Sequence, residues 1–290
     1  MTSKESAKIF AYLALGAGVV IIGFSAIFVR LAGAPGTITA FYRMAIAALI
    51  IVIPFLLHLK KQRFRLARKG VVFAVLGGIC FGADLAFWSA GVMLSGATNP
   101  TLLANTAPLW VGLGSMLIFK EQYKKIFWIG LLIALAGAVI VLGEDLSLAV
   151  EFGLGTFFGL LAAIFYGTFH LATQQGRKVL DTLTYFSIST ITSALFLLLV
   201  NSVMGEPMTG YPDTSWFYFL ALGIMVQIAG WLLLNYSQGH LPAAIVAPSL
   251  LVQPVVTAVI AWVILGELFT FWHIAGGIIV LSGVFIVHRS

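Results

Sequence analysis

A chain of 290 residues that is 61% hydrophobic and only 9% charged is excluded from the water-soluble globular class, where about a quarter of residues carry charge. The formal charge of +6 does not point to nucleic acid, because the basic residues are spread over separate loops and form no single patch. One cysteine, Cys80, and five scattered histidines, His58, His170, His240, His273 and His288, offer neither a disulfide framework nor metal-ligand spacing. No phosphate loop, nucleophile elbow or zinc-protease helix suggests a cofactor, an ATP-driven pump or an enzyme.

Ten apolar stretches follow one another at 9–31, 36–57, 70–93, 97–119, 125–143, 152–172, 183–203, 215–237, 241–265 and 270–288. A helix needs roughly 20 such residues to cross about 30 Å of hydrocarbon. The stretches are continuously apolar, which predicts helices; barrel strands alternate over about ten residues. The first is too long for the roughly 7 to 15 residues of a signal-peptide core, and Arg30 interrupts it before the cleavage-like Ala32-Gly33-Ala34, so a retained helix is expected.

Polar groups inside these stretches are the candidates for function, since an ionisable side chain in hydrocarbon is costly unless it faces a cavity or a partner. Arg43 in the second stretch and Asp84 in the third lie at similar depth and are expected to pair or to share a polar network. Asp84 is read as the substrate contact, Arg43 as structural. Asp84 and Trp88 share a helix face at i and i+4, as do Tyr166 and His170 in the sixth stretch and Gln227, Trp231 and Asn235 in the eighth. Each face mixes an aromatic ring with a polar group, a lining suited to an amphipathic small molecule. Asn105 and Gln253, close to Pro108 and Pro254 in the fourth and ninth stretches, are placed with them in a midplane site. The two prolines are expected to kink their helices, and Glu121 and Glu267 to cap or anchor the segment ends. Gly78 with Gly82, and Gly155 with Gly159 and Ala163, give small-residue faces that bring helices close, read as packing within the chain.

Fourteen of the sixteen Lys and Arg fall on one side if the N-terminus is cytoplasmic: Lys4, Lys8, Lys60, Lys61, Arg63, Arg65, Arg68, Lys69, Lys120, Lys124, Lys125, Arg177, Lys178 and Arg289. The opposite loops hold Arg30 with Glu144, Asp145, Glu151, Glu206 and Asp213. The positive-inside rule then places both termini in the cytoplasm.

The second half echoes the first at an offset of 146 residues: Pro108 answers Pro254, Glu121 answers Glu267, Gly130 answers Gly276 and Gly137 answers Gly283. Five crossings per half make the second copy enter the membrane upside down, which is the plan of an inverted-repeat transporter. The halves are taken as 1–145 and 146–290. The fold class is therefore an all-α membrane protein, ten transmembrane helices in two inverted five-helix repeats around a central cavity.

Ala90 through Gly96-Ala97, Pro108, Lys120-Glu121, Gly130 and Gly137, repeated as Ala243, Pro254, Gly266-Glu267, Gly276 and Gly283, together with Arg43, resemble the EamA-type half of the drug/metabolite transporter superfamily. Within it the chain is most similar to amino-acid exporters of the YddG type. The resemblance implies a bacterial inner-membrane protein that exports amino acids, aromatic and other neutral ones favoured, by alternating access. One chain is expected to suffice, with substrate and lipid as its only partners. Proton-coupled antiport of drugs or metabolites through Asp84 remains an alternative to facilitated export, and a non-transporting receptor or scaffold is a further one.

Overall fold

The computed structural model describes residues 3–61, 66–95, 98–142 and 153–290. Its ten membrane-length helices are α1 (Glu5–Ala32), α2 (Gly36–Lys61), α3 (Arg68–Ser95), α4 (Asn99–Phe119), α5 (Lys125–Leu142), α6 (Leu154–Arg177), α7 (Thr182–Met204), α8 (Asp213–Gln238), α9 (Ala243–Leu265) and α10 (Phe271–His288). No strand occurs among the described residues. Half of the helices end on a polar or charged residue, namely Lys61, Ser95, Arg177, Gln238 and His288, where water can satisfy the terminal backbone groups that hydrocarbon cannot. Arg63, Arg65, Gly96, Ala97, Glu144, Asp145, Glu151 and the expected division at 145/146 lie outside the described residues.

An even number of crossings returns the chain to the face it started from, and the Tyr12 ring lies 5.6 Å from the His288 imidazole. That face is the terminal end of the molecule, and the opposite one the far end. Eight helices form two layers. In one, α1 packs on α8 and α9, and α2 on α8; in the other, α3 packs on α6 and α7, and α4 on α6. The layers meet along α2 and α7. The expected small-residue contacts are internal to this packing: a Cβ on Gly78 would come within 2.5 Å of the Ser189 carbonyl, and one on Gly159 within 2.6 Å of Pro100 Cα.

The remaining two helices, α5 and α10, pack antiparallel on each other. Gly130 lies against Gly283 and Gly137 against Gly276, so close that a Cβ on any of the four would sit 2.6 to 3.0 Å from the partner's carbonyl oxygen. Gly130 and Gly276 occupy equivalent places in the two halves, as do Gly137 and Gly283. Position one of the first half thus meets position two of the second and the reverse, the self-complementary pattern of a two-fold axis. Because the helices are antiparallel, that axis runs across them.

Equivalent irregularities mark α4 and α9. The former is split into Thr98–Ala104 and Ala107–Phe119, the latter into Ala243–Ser249, a 3₁₀ turn Leu250–Val252, and Gln253–Leu265. Pro108 and Pro254 each occupy the second residue of the later segment, where a missing N–H costs nothing. They begin new helices after a break, a sharper event than the expected kink. Both segments end in left-handed caps, Lys120 at φ 57° and Gly266 at φ 68°. There the N–H groups of Glu121 and Glu267 bond back to Ser115 and Ala261 carbonyls at 3.2 and 3.4 Å. In α8, residues Leu222–Gly230 form a π-helix.

Candidate functional site

A cavity of about 200 Å³ lies between α1 and α2 of one layer and α3 and α4 of the other. Val29, Gly36, Ser89 and Thr101 line its far-end part, and Tyr166, Trp231 and Gln253 its floor near mid-depth. Arg43, Asp84, Trp88 and Asn105 line it between these levels. A smaller void of about 30 Å³ continues below, between the breaks in α4 and α9, touching Asn105, Pro108, Tyr166, Ala247 and Gln253.

Arg43 is buried, and its own layer holds it. Nε donates to Gln227 Oε1 at 2.9 Å and Nη1 to Ser25 Oγ at 3.3 Å. The guanidinium also lies 5.9 Å from the Phe81 ring centre, within cation–π range. Asp84 stands on α3, in the other layer, and is 7% exposed. Among the described residues no ion pair within 4.0 Å joins it to Arg43, so of the two expected arrangements, a pair or a shared polar network, the direct pair does not form. The reason is local: Gln227 and Ser25 turn the guanidinium towards its own layer, while Asp84 stays on the opposite wall.

The floor is aromatic. Phe81 lies 4.6 Å from Phe169 and 4.6 Å from Trp231, and Tyr166 6.0 Å from Trp231, centre to centre. Trp88 Nε1 donates to Thr101 Oγ1 at 3.0 Å, tying α3 to α4 on the cavity wall. A Trp with its N–H satisfied presents an apolar face.

Three expected lining residues lie elsewhere. Gln227 sits in the π-helix of α8, whose i to i+5 bonding undoes the i, i+4 register with Trp231; it supports Arg43 and does not line the cavity. Asn235, one turn deeper than Trp231, is buried and donates to the Trp231 carbonyl at 3.0 Å. His170, one turn below Tyr166, is wholly buried, with Nδ1 and Gln238 Nε2 2.7 Å apart.

Pro254 lines a separate far-end space of about 400 Å³ with Thr257, Arg30, Glu267 and His273. Each of the two glutamates ties its helix end to another helix of its own layer, in equivalent fashion. Glu267 pairs with Arg30 at the end of α1. Glu121 accepts from Gln174 Nε2 near the end of α6 at 3.1 Å and from the Tyr123 hydroxyl. Burial, and then the bond to Glu121, push the Tyr123 pKa up from 10.0. Sequence reasoning missed Ser25, Thr39, Ser89 and Thr101 as lining. Single hydroxyls in membrane helices usually bond their own backbone and carry no pattern.

Residues 9–143 and 153–289 each match the EamA-like transporter family. The chain belongs to this family. It is 25% identical to the uncharacterized transporter YetK of Bacillus subtilis, over 95% of this chain and 86% of the relative. It is 24% identical to the pseudopaline exporter CntI of Pseudomonas aeruginosa, over 88% and 87%, and 26% identical to a riboflavin transporter of Vibrio cholerae, over 69% and 65%. A solved crystal structure 19% identical in sequence superposes with a TM-score of 0.80 over 98% of both chains, which establishes the common fold. This EamA-like chain is therefore a multi-pass membrane transporter, as its homologues are named.

Proposed function

We propose that this transporter exports amino acids, aromatic and other neutral ones first, across the bacterial inner membrane by alternating access. The observation that carries the reading is a cavity holding one guanidinium, one carboxylate and aromatic rings, with the two charges not paired to each other. A zwitterion satisfies both: its carboxylate meets Arg43, its ammonium Asp84, and its side chain the rings of Trp88, Tyr166 and Trp231. A volume of about 200 Å³ lies below the roughly 300 to 1,000 Å³ of drug-sized sites and favours single small metabolites. With the basic loops cytoplasmic, the far end is outside and the cavity faces outward.

Alternating access follows from the two-fold plan. The two layers rock about α2 and α7, and exchanging the conformations of the halves 1–145 and 146–290 would close the far end and open the terminal end. Purified protein in liposomes should release labelled phenylalanine or leucine, and Asp84→Ala and Trp88→Ala should each abolish the flux. Wild-type liposomes that move no neutral amino acid would end the reading.

One observation favours a second reading. Asp84 is the only Asp or Glu lining the cavity among the described residues, so it is the group there that could carry a proton in exchange for solute. Flux driven by an imposed pH gradient in the wild type but not in Asp84→Asn distinguishes antiport from facilitated export.

A further inference from the structure

Three residues on α6 join the two layers below the cavity floor. His170, Gln174 and Arg177 recur at four- and three-residue intervals, so they share one helix face. All three bonds cross from the α3–α4–α6–α7 layer to the α1–α2–α8–α9 layer. His170 Nδ1 meets Gln238 of α8 at 2.7 Å. Gln174 Oε1 accepts from the Ala243 N–H at the start of α9 at 2.6 Å. Arg177 Nε donates to the Asn235 carbonyl of α8 at 3.0 Å.

This face is sealed at His170 and Gln174, while Arg177 at its outer end is half-buried. His170, Gln174, Asn235 and Gln238 are each at most 7% exposed, and Ala243 and Ala247 at most 1%. Gln174 also fixes its own layer, through Glu121 at the end of α4. The rungs therefore connect two bodies that are each internally held.

Among the described residues α1 carries no such ladder at the far end; a buried side-chain bond that crosses the layers there, from Asn201 Nδ2 of α7 to the Thr37 carbonyl of α2 at 3.1 Å, lies at the seam along which the layers meet. At the 137-residue offset that relates α6 to α1, Tyr166 and His170 answer Val29 and Gly33, and Gln174 falls at Thr37, beyond the end of α1. Val29 and Gly33 have no side-chain donor or acceptor. Arg30, the one ionic group at that end of α1, is taken by Glu267 within its own layer.

We propose that the His170–Gln174–Arg177 face of α6 is the terminal-end gate of this transporter, and that its lack of a counterpart on α1 makes the far-open conformation the resting state. Buried bonds of this kind hold a closed mouth because each broken rung exposes a donor or acceptor that must find another partner. A far end closed against α1, whose matching Val29 and Gly33 carry no polar side chain, gains no equivalent hold from that helix. The inference rests on the rocking of the two layers but not on the identity of the substrate.

The test reads accessibility without substrate. In a Cys80→Ser background, Ala247→Cys in the void below the floor and Val29→Cys in the far-end cavity are introduced one at a time. In sealed vesicles of known orientation, a membrane-impermeant maleimide is supplied from the terminal side for the first and from the far side for the second. With the ladder intact, Val29→Cys should label quickly and Ala247→Cys slowly. Gln174→Ala, and separately Gln238→Ala, should raise labelling at Ala247→Cys by about tenfold, the effect of one bond worth about 1.4 kcal/mol, and lower it at Val29→Cys. Unchanged labelling in both variants overturns the gate. A rise at Ala247→Cys without a fall at Val29→Cys also overturns it, because loosening alone opens both ends. Failure of amino-acid transport with the reciprocal labelling intact would sink the substrate reading and leave the gate standing.

Discussion

Arg43 and Asp84 face one cavity from opposite layers of the bundle, and no ion pair within 4.0 Å joins them. Had they paired, each would have neutralised the other and left the cavity without a charged group to offer. Instead Gln227 and Ser25 hold the cation in place. In the proposed mechanism a ligand bearing both charges would bridge the two layers.

The Arg43 strut should be measurable apart from transport. Hydrogen bonds to a charged group are worth about 1.5 to 3 kcal/mol, so Arg43→Gln and Gln227→Leu should each lower the melting temperature in detergent. The double variant should fall short of the sum, because both changes remove the same bond. Additive losses would show that the two residues act separately.

The α5–α10 seam should tolerate no added methyl group. A Cβ on Gly283 would lie 2.3 Å from the Ala134 backbone nitrogen, whereas one on Gly16 meets nothing within 4 Å. Gly283→Ala is expected to destabilise by about 1 to 3 kcal/mol, and Gly16→Ala to be neutral or to stabilise by up to about 1 kcal/mol through helix propensity. Equal thermal stability of the two variants would refute the close contact.

Much of this was legible in the sequence, for identifiable reasons. Hydrocarbon forces each span into a long apolar helix, so all ten could be counted. The offset of 146 residues predicted which positions correspond, and Gly130, Gly137, Gly276 and Gly283 meet in that pattern. Helix periodicity also brought Asp84, Trp88, Tyr166 and Trp231 to one cavity. It failed for Gln227, where a π-helix alters the turn, and for His170 and Asn235, where a face continues below the floor. Gln174 went unread because its partners, Glu121 and the Ala243 N–H, are remote in sequence or belong to the backbone.

Lys120 offers a stabilising change. It adopts φ 57° at the end of α4, where the second half has Gly266 at φ 68°. The left-handed region costs a non-glycine residue about 1 kcal/mol. Lys120→Gly should therefore raise stability by about 0.5 to 1 kcal/mol with flux unchanged, as read by thermal unfolding and liposome assays. A lower melting temperature would mean that the Lys120 side chain contributes more than its backbone strain removes.

The account depends most on the pair of opposite charges in one cavity. Its most direct measurement is competition, in liposomes, for labelled phenylalanine flux by three unlabelled compounds of one shape: phenylalanine, phenethylamine and phenylpropionate. The wild type should be inhibited at least about tenfold more strongly by the zwitterion than by either singly charged analogue, a difference of about 1.4 kcal/mol. In purified Asp84→Asn the preference over phenylpropionate, which lacks the ammonium group, should be erased, as read by ligand stabilisation against thermal unfolding. Equal inhibition by all three compounds, or a preference that survives Asp84→Asn, would contradict it.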